Sequence, residues 1–225
     1  MPIPQYPLYS ALLTLDGGTM IKYFMQEEQN WGISPADIKA RIKNAQELGI
    51  NVRSMVVINP GNPTGNVLRR NDIEEIIKIC HDNRILIMAD EVYQRNIYYP
   101  EDAPFVSFRK VLAEMGAPYS NNVELVSLHS ISKGLMGECG LRGGYFETHN
   151  LDSYAMDMLY KLKSIELCSN TIGQIAVNLM VDPPRSGRES DETVKIYNKQ
   201  RDEINNGLEE RAALLTETFN KMHNI

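Results

Sequence analysis

Ser130-Ile131-Ser132-Lys133 sets a lysine three residues behind a serine, just past the apolar run from Val123 to Leu128. Arg142 follows, in Gly140-Leu141-Arg142-Gly143-Gly144. An amine at a strand end can attack a carbonyl to form an imine, and hydroxyls beside a guanidinium fork can hold a phosphate. Asp90 is a second candidate, directly after the apolar residues Ile85-Leu86-Ile87-Met88-Ala89 and three residues before Tyr93. A carboxylate placed there is partly desolvated unless a cation pairs with it, and a protonated ring nitrogen is one such cation. Tyr93 brings a phenol. Asn62 brings an amide donor, from the turn-forming loop Asn59-Pro60-Gly61-Asn62-Pro63-Thr64-Gly65-Asn66. Each of these residues also fits a plain structural role: Asp90 closing a turn, Tyr93 half-buried in a core, Asn62 serving its own loop, Arg142 pairing with a surface carboxylate, Lys133 solvated.

What would bring such distant residues together is the order of the elements. Ser54 to Ile58, Ile85 to Ala89, Val123 to Leu128 and Gly144 to Glu147 read as short strands of the kind buried on both faces. Thr19 to Met25 reads as a further strand, after an extended start imposed by Pro2, Pro4 and Pro7 and a short helix from Leu8 to Leu15 that Gly17-Gly18 stops. Ser34-Pro35 opens a helix running to about Leu48, with serine as cap and proline in the first turn. A helix beginning at Asn71 or Asp72 puts Ile73, Ile76, Ile77 and Cys80 on one face. Ser107 to Met115, Asp152 to about Lys163 and Asn170 to Val181 read as helices too. Thr193 to Met222 has helical composition, with a break expected at Asn205-Asn206-Gly207.

Short apolar strands alternating with amphipathic helices predict an α/β fold, a three-layer sandwich around a mostly parallel sheet. Ligands of such sheets sit beyond the carboxyl ends of the strands. Asn62, Asp90 and Lys133 each fall within a few residues of the carboxyl end of a different strand, so the topology predicts one shared rim. An aspartate facing a ring N–H, a lysine imine and a phosphate anchor of Ser130, Ser132 and Arg142 together describe a site for pyridoxal 5'-phosphate.

Composition narrows the alternatives. The balance of 23 basic and 29 acidic residues gives a net charge of −6, and no basic stripe offers a nucleic-acid surface. The 3 cysteines, Cys80, Cys139 and Cys168, are odd in number and far apart, which speaks against a disulfide framework or a zinc site and suits a reducing compartment such as the cytoplasm. No metal is expected, and no apolar run is long enough to span a membrane. There is no Gly-Lys-Ser/Thr phosphate loop and no GxGxxG after a first strand, so nucleotide hydrolases and dinucleotide folds are set aside.

At these residues the chain resembles the class I and II aminotransferases of pyridoxal-phosphate fold type I, and most narrowly the alanine aminotransferases. The resemblance is carried by Pro4-Gln5-Tyr6-Pro7-Leu8-Tyr9-Ser10-Ala11, Asn30-Trp31-Gly32, the Asn59 to Gly65 loop, Ala89-Asp90-Glu91-Val92-Tyr93-Gln94 and Ser127 to Gly134. It continues through Gly137-Glu138-Cys139-Gly140-Leu141-Arg142-Gly143-Gly144-Tyr145, Leu167-Cys168-Ser169-Asn170 and Asp182-Pro183-Pro184. It implies that Lys133 holds the cofactor as an aldimine and then shuttles the proton between the substrate Cα and the cofactor. It further implies that Asp90 pairs with the pyridinium, that Asn62 and Tyr93 bond the ring hydroxyl, and that Tyr6 stacks on the ring. Ser130 and Arg142 would take the phosphate, and Asn62 would also contact substrate.

The activity so implied is transfer of the amino group of L-alanine to 2-oxoglutarate, in a homodimer. Another amino-acid or glyoxylate aminotransferase is an alternative, as is a lyase of the same fold or a non-catalytic cofactor-binding fragment. The cytoplasm is the expected compartment, with the mitochondrion left open. The resemblance also implies a phosphate loop and subunit-crossing arm upstream, and a small domain downstream carrying an arginine for the substrate carboxylate. The chain is thus expected to comprise a partial cofactor-binding large domain over 1–190 and, over 191–225, a long helix leading toward that small domain.

Overall fold

The computed structural model describes residues 1–222; the last three residues of the expected 191–225 segment lie outside the described residues. Two compact units are distinguished, one of residues 1–130 and 145–169, the other of residues 131–144 and the chain from Asn170 onward.

In the first unit the elements are β1 (Pro2–Ile3), α1 (Pro7–Leu15), β2 (Tyr23–Phe24), α2 (Pro35–Glu47), β3 (Ser54–Ile58), α3 (Arg70–Asn83), β4 (Leu86–Asp90), α4 (Phe108–Met115), α5 (Tyr119–Asn122) and β5 (Leu125–Ser130). After them come β6 (Gly144–His149) and α6 (Ser153–Ile165). The main sheet has the order β3-β4-β5-β6, and its β3–β4 and β4–β5 pairs are parallel. β1 and β2 form a separate parallel pair.

The period-two alternation of β3 explains the layers. Met55 and Val57 pack with Ile87, Ala89 and Leu125 into a core closed by α2, α3 and α4. Val56 and Ile58 join Met1 instead, against Tyr9 and Leu13 of α1 and Met88 of β4. Helices therefore cover both faces, and a strand buried on both sides must be nearly all apolar. On α3 the residues Ile73, Ile76, Ile77 and Ile79 are fully buried, each contributing about 1.5–3 kcal/mol through the apolar surface removed from water.

Several boundaries differ from the sequence expectation. The strand expected over Thr19 to Met25 shrinks to Tyr23–Phe24, because only those residues find a partner, in β1. The third strand begins at Leu125, where the ladder opposite Ile87 starts, and runs to Ser130. Val123 is buried but follows the short helix α5 unpaired in the sheet. α3 starts at Arg70, with Asp72 in its first turn accepting from the Arg69 N–H at 3.3 Å.

The second unit contains a single 3₁₀ turn at Cys139–Leu141, α7 (Thr171–Val181) and α8 (Asp191–Asn220). Asn170 caps α7, accepting from Ile172 N–H at 3.0 Å and Gly173 N–H at 3.3 Å while donating to Leu141 O at 2.7 Å. α8 runs unbroken through Asn205-Asn206-Gly207. One glycine costs about 1 kcal/mol in a helix interior, too little to end a helix whose flanks favour the helical state.

Candidate active site

Parallel pairing sends the carboxyl ends of β3, β4 and β5 to one edge, and the first unit gathers most of the sequence-predicted site residues there. β4 ends on Asp90 itself. β3 gives way to the Asn59 to Asn66 loop that carries Asn62, and Ser130 is the last residue of β5. The loop is tied to β4 by the Asn59 N–H, which donates to Asp90 O at 2.9 Å. It folds back on itself through Gly61 N–H to Asn66 O at 2.8 Å. A Cβ on Gly61 would lie 2.2 Å from Asn66 Oδ1 and 2.3 Å from Thr64 Oγ1, so a larger residue there would force those two side chains to move.

Asn62 and Tyr93 are half-buried, Tyr93 in the turn after β4 with its carbonyl accepting from Asn96 N–H at 2.8 Å. Tyr6, the N-cap of α1, is 40% exposed. Lys133 and Arg142 belong to the second unit. Both are exposed, and the Arg142 guanidinium donates to Cys139 O at 2.8 Å.

Asp90 has an unequal pair of oxygens. Oδ2 accepts from the Tyr9 hydroxyl at 2.7 Å, whereas among the described residues the hydrogen bond recorded to Oδ1 is the long one from Val92 N–H at 3.4 Å. The second oxygen is thus open to a stronger, cationic donor. Burial, with the Asp90 charge and its hydrogen bond adding to it, pushes the Tyr9 phenol far above the usual tyrosine range, so Tyr9 stays protonated and can only donate. Tyr9 was not among the residues singled out from the sequence. Its only signal was its spacing, one helical turn after Tyr6 in the Pro4 to Ala11 stretch.

Two further groups flank Asp90. Glu91 is buried and accepts from Phe108 N–H at 2.7 Å. Burial pushes its carboxyl up to about 7, the Phe108 bond opposing and the Asp90 charge assisting. His129 has its Nδ1 3.2 Å from Gln94 Nε2 and meets the Tyr145 ring edge-on at 5.8 Å. Burial holds its pKa below the ordinary value, partly offset by the Glu91 carbonyl and by Asp90. Asn59 is fully buried; its Oδ1 accepts from Leu68 N–H at 2.9 Å, and its Nδ2 has no partner among the described residues.

Among the described residues no group of His, Cys, Asp and Glu could hold a metal, and no helix is long and apolar enough to cross a membrane.

Known proteins resemble the chain along its whole length. The profile of the family described as Aminotransferase class I and II matches residues 1–222. The chain is 46% identical over 225 residues to glutamate–glyoxylate aminotransferase 1 of Arabidopsis thaliana, covering 100% of this chain and 46% of that protein. It is 43% identical over 224 residues to alanine aminotransferase 1, mitochondrial, of the same plant, covering 100% of this chain and 40% of that one. Among solved structures, an alanine aminotransferase from Pyrococcus furiosus superposes with a TM-score of 0.68 at 26% identity, over 82% of this chain and 43% of that chain. The chain spans less than half the length of these relatives. It belongs to the class I and II aminotransferases, a pyridoxal-phosphate-dependent family.

Proposed function

We propose that the chain works as an aminotransferase that moves the amino group of L-alanine to 2-oxoglutarate, giving pyruvate and L-glutamate in two ping-pong half-reactions. The observation that carries the reading is Asp90, a carboxylate at the end of a parallel strand with one oxygen anchored and the other open.

The residues present fit pyridoxal phosphate. An open carboxylate oxygen suits a protonated ring nitrogen, and the buried Asn59 Nδ2, without a partner among the described residues, is a donor next to the same strand end. When bound, the cofactor supplies a conjugated ring that accepts the electron pair left by a departing substrate proton. Asp90 holds the proton on the ring nitrogen. Asn62 and Tyr93 donate to the ring oxygen, and Tyr6 covers one ring face. Ser130 and Arg142 bind the phosphate, Arg142 through its planar fork. Lys133 would provide the amine that engages the cofactor and would act as the base that takes a proton from the Cα of the amino donor and, in the second half-reaction, gives one to the Cα of the acceptor 2-oxo acid. Asn62 also contacts substrate. The working form in this reading is a cytoplasmic homodimer.

The experiment is an absorption titration of the purified chain with pyridoxal phosphate. A visible band is expected that shifts when L-alanine is added and is missing in Lys133→Ala. An identical band in Lys133→Ala would sink the assignment of that lysine. A glyoxylate-using enzyme is the second reading, favoured by the 46% identity to the plant glutamate–glyoxylate aminotransferase. Turnover with alanine or glutamate as donor and 2-oxoglutarate or glyoxylate as acceptor separates the two.

A further inference from the structure

We infer that Tyr9 is a positioning residue for the cofactor-binding carboxylate: its hydroxyl fixes Asp90 Oδ2 so that Oδ1 alone meets the ring nitrogen. The inference rests on the proposed cofactor reading and adds to it a residue that the motifs do not assign. Asp90 is the last residue of β4, and a carboxylate there has two oxygens that a rotation about its χ2 interchanges. Tyr9 removes that freedom. Its bond spans 81 positions of sequence and, at 2.7 Å, is short and charge-assisted. The donor is itself held: Tyr9 is half-buried in the first turns of α1 and packs in the small cluster with Met1, Val56 and Ile58.

Tyr9 cannot serve as a proton shuttle, because its buried phenol does not ionise in the working range. It can only donate, and donation tells the two carboxylate oxygens apart. Tyr6, proposed to cover the ring face, is the N-cap of the same helix and lies three residues earlier. One helix turn would therefore set both the face and the nitrogen of the ring, and a shift of α1 would disturb the two contacts together.

The test is a double-mutant cycle in the 225-residue chain, read by pyridoxal phosphate affinity and by the pH midpoint of its visible band. Tyr9→Phe is expected to weaken binding on the order of tenfold, the loss of one hydrogen bond to a charged group, and to move the midpoint. In an Asp90→Asn background the same substitution is expected to change affinity less than twofold, because Tyr9 acts only through that carboxylate. An equal loss in both backgrounds means Tyr9 merely supports the fold and overturns the inference. So does unchanged affinity and midpoint in Tyr9→Phe, which leaves the cofactor reading intact. Absence of binding by the unsubstituted chain overturns the cofactor reading, and the inference with it. A cofactor-free control uses ¹³Cζ-labelled tyrosine, the Tyr9 resonance being the one lost in Tyr9→Phe. It must shift in Asp90→Asn; an unmoved resonance removes the hydrogen bond on which the inference stands.

Discussion

Asp90 and Glu91 are adjacent carboxylates in opposite circumstances. Asp90 is half-buried and engaged on one oxygen, whereas Glu91 is 5% exposed and closes the amino end of α4. Because burial raises the Glu91 carboxyl from 4.5 to about 7, the fold prefers its neutral form. The stability that follows is fully present below the unfolded pKa, near 4.5, and is lost as pH rises through about 7; its size is on the order of 3 kcal/mol. Glu91→Gln, which cannot ionise, is therefore expected to gain stability relative to the parent between pH 5 and pH 8 on about that scale. Chemical denaturation at several pH values measures the gap, and a gap that stays constant would show that Glu91 is charged in the folded chain. Asp90 was legible from sequence because five apolar residues precede it. Tyr9 was not, because a tyrosine on a short helix carries no mark of an oxygen 81 positions away.

At the scale of elements, the second unit depends on a close approach between two glycines. A Cβ on Gly143 would come within 2.7 Å of Gly173 O, and one on Gly173 within 2.8 Å of the carbonyls of Leu141 and Arg142. Backbone cannot yield as a side chain can, so α7 meets the Arg142 loop only without side chains at both places. Gly173→Ala is expected to cost roughly 1–3 kcal/mol, the usual penalty of overpacking. Gly140→Ala, where nothing lies within 4 Å, is expected to change stability by less than about 0.5 kcal/mol. Thermal melts of the two variants make the comparison; equal losses would refute the close-packing account. The helix over Asn170 to Val181 was legible in the sequence. The glycine contact was not, since it joins residues thirty apart.

Across the whole molecule, protection is unevenly shared. The first unit buries the ladder of β3, β4 and β5 between helices, with Ile87 and Ala89 fully inaccessible. α8 has no buried residue along its thirty, and Ile196, Ile204, Leu214, Leu215 and Phe219 are all at least half exposed. Helices draw most of their stability from tertiary packing of one face. Amide hydrogen exchange in α8 is therefore expected to be at least ~100-fold faster than in β4, a difference that follows from local against global opening. Matching rates in the two would mean that α8 is protected as well as the sheet.

The sequence by itself determined the class of fold and the order of the chemistry. Apolar runs of about five residues between amphipathic helices leave few arrangements other than a parallel sheet, and these runs predict Asn62, Asp90 and Lys133 on one rim; in the first unit Asp90 and Ser130 end their strands and Asn62 follows β3. It did so because those signals are local periodicities and turn residues. Only the tertiary structure decided where the strands stop. It also decided that one oxygen of Asp90 is already taken and that burial raises the Glu91 carboxyl above its ordinary range. Each of these follows from a partner distant in the chain, and neither periodicity nor propensity records the distance between atoms that only folding brings together.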